Sequence, residues 1–65
     1  MAALTEKQAL VKAKARLALK EKEILARGQK SVKIQIQYGE AAIQHYMFIF
    51  VRKAKEWKLD YTHKF

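Results

Sequence analysis

Beyond Gly28 the apolar side chains change period, and that change limits what the chain can build more than any other feature. Upstream, Thr5 to Arg27 holds neither proline nor glycine. It consists almost wholly of Ala, Leu, Lys, Glu and Gln, residues that lose little freedom on entering a helix. Thr5 followed by Gln8 fits a capping box, in which the hydroxyl takes one orphan amide and the glutamine reaches back to another. Gly28 offers the left-handed conformation that ends many helices, and Arg27 sets a cation near the negative end of the dipole. The sequence therefore predicts a helix over residues 6–27. Downstream, Val32, Ile34, Ile36 and Tyr38 alternate with Lys33, Gln35 and Gln37, the period of a strand with one wet face.

Gly39-Glu40 offers a turn after that strand. If the chain reverses there, Ile36 faces Ile43, Ile34 faces His45 and Val32 faces Met47. One face then carries Val32, Ile34, Ile36, Ile43, Met47, Ile49 and Val51 as a floor for the helix. The other carries Lys33, Gln35, Gln37, Gln44, Tyr46, Phe48, Phe50 and Arg52. A competing reading places Ile36, Ile43, Met47, Phe50, Ala54 and Trp57 on the stripe of a second helix, giving an all-α hairpin. Strands fit better, because the helical version scatters Tyr46, Phe48 and Val51 and because Tyr, Phe, Ile and Val suit a pleated surface. After a polar turn at Arg52 to Glu56, the residues Trp57, Leu59, Tyr61, His63 and Phe65 alternate with polar ones, which suggests a third strand.

The expected architecture is α+β: one domain over residues 1–65, with a long N-terminal helix packed on a small antiparallel sheet. Its first two strands are expected near 31–38 and 42–52, with the suggested third near 57–63. A chain this short removes only roughly 60% of its unfolded surface from water, and no cysteine is present to brace it. A second copy or a larger protein assembly is therefore an expected partner.

Fourteen Lys and Arg stand against six Asp and Glu, a formal charge of +8, which points to an anionic partner. The helical stripe reads as Leu4, Leu10, Val11, Leu17, Ala18, Ile24 and Leu25. Around the opposite side, Lys12, Arg16, Lys20 and Arg27 form a ladder of cations with only Glu23 among them. A solvated face is the plain reading of such a ladder, and a ridge facing phosphates is the sharper one. Lys33, Arg52, Lys53 and Lys55 would extend the positive surface.

Tyr46, Phe48 and Phe50 repeat every second residue, and on a strand they would stand about 7 Å apart, a spacing suited to splayed bases. The alternation resembles the aromatic strand of the RNA-recognition motif, without the glycine that precedes it there. Against the stacking reading stands the more ordinary one, in which these rings and Trp57 form a core or a subunit interface.

Catalysis lacks parts: the hydroxyl inventory is Ser31, Thr5 and Thr62, and the only histidines are His45 and His63. Asp60 and His63 would point to opposite faces of a strand. Two histidines eighteen residues apart match no metal-ligand spacing. No enzyme activity, cofactor or small-molecule substrate is expected. The longest uncharged run, Ala41 to Val51, is eleven residues, well short of the ~20 needed to span a bilayer. These features suit a cytoplasmic, nucleoid-associated or virion-borne protein. The expected role is a small basic accessory or regulatory DNA- or RNA-binding protein, of the kind found in phages and plasmids. The alternative is an interaction module docking on an acidic partner through a sheet edge or an aromatic face.

Overall fold

A computed structural model describes residues 3–65 as one helix, α1 (Glu6–Ala26), followed by three strands, β1 (Ser31–Gln37), β2 (His45–Lys53) and β3 (Glu56–Lys64). The strands form one antiparallel sheet in the order β1-β2-β3, and the helix lies on one face of it, an α+β arrangement. Strands occupy the stretch that the helical-hairpin alternative would have wound into a second helix.

Both ends of α1 are closed by the chain's own chemistry. Gln8 N–H donates to the Thr5 hydroxyl at 3.2 Å, and Thr5 N–H donates to the Gln8 side chain at 3.1 Å. At the other end Gly28 adopts φ +72°. Its N–H reaches Leu25 O at 3.0 Å while Gln29 N–H reaches Ile24 O at 3.2 Å, the paired bonds of a Schellman turn.

Small residues on the helix meet large ones on the sheet. Ala9, Ala13, Leu17 and Ile24 are buried against Ile34 and Ile36 of β1 and Tyr46, Phe48 and Phe50 of β2. Phe48 and Phe50 are 0% and 1% exposed, the largest side chains to be buried completely. Two alanines let the helix backbone come close to these rings, which is why the packing stripe differs from the expected one. Val11, Ala18 and Leu25 are exposed, and Leu10 is only half-buried. Burying each ring contributes roughly 1.5–3 kcal/mol, a large share of the stability available to a chain of this size.

The register of the β1–β2 hairpin departs from the expected one by three residues. Ile36 pairs with Tyr46, Ile34 with Phe48 and Val32 with Phe50. The reversal is not a tight turn at Gly39-Glu40. It is a loop over Tyr38 to Gln44, closed by Tyr38 N–H to Gln44 O at 2.9 Å and Gln44 N–H to Ala41 O at 2.9 Å. The Gln37 side chain donates to the carbonyls of Gly39 and Glu40, and the Gln44 side chain accepts from Ala41 N–H. A slip by an odd number exchanges the two faces of a strand. The rings of β2 therefore join Val32, Ile34 and Ile36 beneath the helix. Met47, Ile49 and Val51 move to the uncovered face, and Ile43 is left exposed in the loop.

A second irregularity divides β3. Tyr61 pairs with Ile49 but Leu59 pairs with Phe50, so Asp60 is an extra residue, a β-bulge. The single apolar face expected for Trp57, Leu59, Tyr61, His63 and Phe65 is consequently split. Trp57 and Leu59 stand on the helix side, opposite Arg52 and Phe50. Tyr61 and His63 stand on the other side, opposite Ile49 and Met47, and Phe65 stacks on His45 with ring centroids 4.5 Å apart.

Candidate nucleic-acid interface

The helix runs antiparallel to β1: Leu4 N–H donates to Tyr38 O at 3.1 Å, and the Schellman turn leads straight back into Ser31. With Ala9, Ala13 and Leu17 facing the sheet, the positions on one flank of that stripe are Lys12, Arg16 and Lys20, one turn apart. That flank overhangs β1, one of the two edge strands. The ladder thus borders the packing face and does not oppose it, a correction to the placement read from the sequence. Its clearest mark is Arg16, whose guanidinium donates to Gln35 O at 2.9 Å. This bond spans the seam between helix and sheet.

Lys33, at the free edge of the sheet opposite Ile49, completes the group. Arg16, Lys20, Lys33, Ile34 and Gln35 line a shallow groove of ≈ 240 Å³. A neighbouring groove of ≈ 330 Å³, lined by Arg16, Gln35, Gln37, Ala42 and His45, shares two of those residues. The two form one continuous seam, walled by cations and amides and by no carboxylate. A larger depression of ≈ 480 Å³ lies between Leu4 and the β1–β2 loop, and Glu40 supplies its one charged side chain.

Other cations singled out from the sequence stand elsewhere. Arg27, at the helix C-cap, is paired with Glu23 at 2.7 Å, one turn back on the same helix. Both side chains are well exposed, so the pair contributes only about 0.5 kcal/mol. Arg52 is half-buried, 3.6 Å from Glu21 and 5.7 Å over the Trp57 ring, and it bridges helix and sheet on the flank away from the seam. Lys53 and Lys55 sit at the β2–β3 hairpin tip, where Ala54 and Lys55 both adopt positive φ, 52° and 66°. Tyr46, Phe48 and Phe50 are core residues, and Trp57 packs half-buried against them. The first three offer no open ring face to a base, and Arg52 lies over one face of Trp57.

Exposed rings occur instead on β3. Tyr61 and Phe65 are each 49% exposed, and His63 between them is also exposed. The alternation that pointed to β2 thus has its solvent-facing counterpart one strand later, past a bulge that no local sequence signal announces. Among the described residues no group of three His, Cys, Asp or Glu side chains could hold a metal ion, and no helix is long and apolar enough to cross a membrane.

No protein-family model, no curated protein and no solved structure matches this chain.

Proposed function

We propose that the chain is a small basic nucleic-acid-binding protein whose helix–β1 seam holds the phosphate backbone. The observation that carries this reading is the convergence of Arg16 and Lys20 with Lys33, residues distant in sequence, in a groove lined by no carboxylate. Lys12 extends the row by one helical turn. Arg16 has five N–H donors, so the one given to Gln35 O leaves others for a phosphate. The Gln35 side chain adds a neutral donor along the same line. Such contacts fix position and give affinity that falls with salt, and by themselves they read no sequence.

Titrating a fluorescein-labelled strand at ~50 and ~200 mM NaCl tests the reading. With three or four phosphates of a single strand engaged, affinity should fall about 20- to 50-fold across that range. Absence of binding at ~50 mM salt would refute it.

A second reading, docking on an acidic protein, is supported by the nine-residue β3 edge with Leu59 and Tyr61 exposed beside it. Apolar anchoring there would leave affinity largely insensitive to salt, and Lys20→Ala with Lys33→Ala would leave capture intact.

A further inference from the structure

The face of the sheet that the helix leaves bare is built in rows. Lys33, Ile49 and Tyr61 form one, Gln35, Met47 and His63 the next, and Gln37 with His45 leads to Phe65, whose N–H donates to His45 O at 2.9 Å. In the other direction lie Ser31, Val51 and Lys58, then Lys53 and Glu56. Met47, Ile49 and Val51 are half-buried, and the rings of β3 stand beside this apolar floor.

We infer that this face takes single-stranded nucleic acid, with bases laid on Tyr61 and His63. The inference rests on the nucleic-acid reading above and specifies the strand type and a second contact surface. Ring spacing supports it at Tyr61 and His63, alternate residues on β3, whereas Phe65 meets His63 edge-on at 69° with centroids 4.4 Å apart and is itself stacked on His45, so it closes the end of the platform. Tyr61 and His63 already lie in near-parallel planes, 12° apart, with centroids 6.4 Å apart.

Charge selects the occupant. Lys33, Lys53 and Lys58 stand on this face against Glu56, so the surface favours an anion. A second copy of the chain would set cations against cations. Lys33 also lines the seam described above, so a strand whose phosphates lie there can turn its bases over the β1 edge onto the sheet. A rigid duplex keeps its bases stacked inside and cannot make that turn.

Three fluorescein-labelled probes test this at ~50 mM NaCl: a 12-nucleotide oligothymidine, an abasic strand with the same number of phosphates, and a 12-base-pair duplex. Oligothymidine should bind at least about 30-fold more tightly than the abasic strand, the low end for two stacked bases. Tyr61→Ala should remove most of that difference, Tyr61→Phe should keep it, and neither should alter abasic binding. Equal affinity for the oligothymidine and abasic strands would overturn the inference and leave the phosphate groove standing. Failure of all three probes to bind would overturn both. Sedimentation showing a dimer that Tyr61→Ala dissociates would assign the face to a second copy and likewise overturn the inference.

Discussion

Arg16 on the helix and Gln35 on the edge strand are joined by one hydrogen bond, 2.9 Å from guanidinium nitrogen to backbone carbonyl. The bond satisfies an acceptor on an edge that would otherwise be free to pair with another chain. It also fixes a cation over the groove. Structure and proposed function therefore meet in one side chain, and they can be separated by substitution. Arg16→Lys should keep a charge near the groove but lose the fork that reaches the carbonyl. Arg16→Ala should cost only about 0.5–1 kcal/mol in a urea melt, because the bond is exposed. It should weaken strand binding several-fold, and Arg16→Lys should recover more than half of that loss. A melt lowered by more than about 3 kcal/mol would make Arg16 a structural residue first.

The hairpin tip gives an independent prediction about stability. Ala54 and Lys55 occupy the two central positions between Lys53 and Glu56 with positive φ, a conformation that Asn-Gly adopts with far less strain. Replacing Ala54-Lys55 by Asn-Gly should stabilise the protein by about 1–2 kcal/mol, read as a raised urea midpoint at unchanged slope. An unchanged or lowered midpoint would show that the tip carries no such strain.

Helix packing makes a third. Ala13 is fully buried where the helix approaches the rings of β2, whereas Leu19 is 87% exposed. Ala13→Leu should destabilise by about 1–3 kcal/mol through overpacking. Leu19→Ala should change stability by no more than about 0.5 kcal/mol. Thermal melts of the two variants should therefore rank opposite to the ordinary expectation that gaining a leucine helps and losing one harms.

Much of the fold is local, and that part was legible. The Thr5 and Gln8 cap, the Gly28 stop and the alternation from Val32 are each set by neighbours within four residues, so composition and spacing reveal them. Pairing was harder. The β1–β2 register depends on a loop held by the Gln37 and Gln44 side chains, and glutamine carries no turn signal of its own. Gly39 lies inside that loop, where a Cβ would run into the Gln44 side chain, so its glycine marks crowding and not a two-residue turn. Because the resulting slip is odd, three rings that the expected register set on the face away from the helix lie beneath it, in the core. The seam was half legible: Lys12, Arg16 and Lys20 share a helix face by spacing alone, but their meeting with Lys33 needed the helix to pack through alanines.

The Asp60 bulge is the feature sequence reading missed most completely, and it has its own consequence. Deleting Asp60 would restore an unbroken period of two along β3. Trp57 and Leu59 could then keep to the helix side of the sheet only by dragging Tyr61 and His63 under the helix. The deletion should lower stability by at least about 2 kcal/mol and shift Trp57 emission to the red, as the indole leaves its half-buried site. Full stability with unchanged Trp57 emission would show that the bulge positions nothing.

The most direct test of the seam is a two-dimensional amide-shift titration of the labelled protein with a 12-nucleotide strand at ~50 mM salt. The largest changes should fall on Arg16, Lys20, Lys33 and Gln35, and they should fade as salt is raised. Changes confined to the far side of the helix around Val11 and Ala18, or to the Leu4 and Glu40 depression, would contradict the assignment of this groove to phosphate.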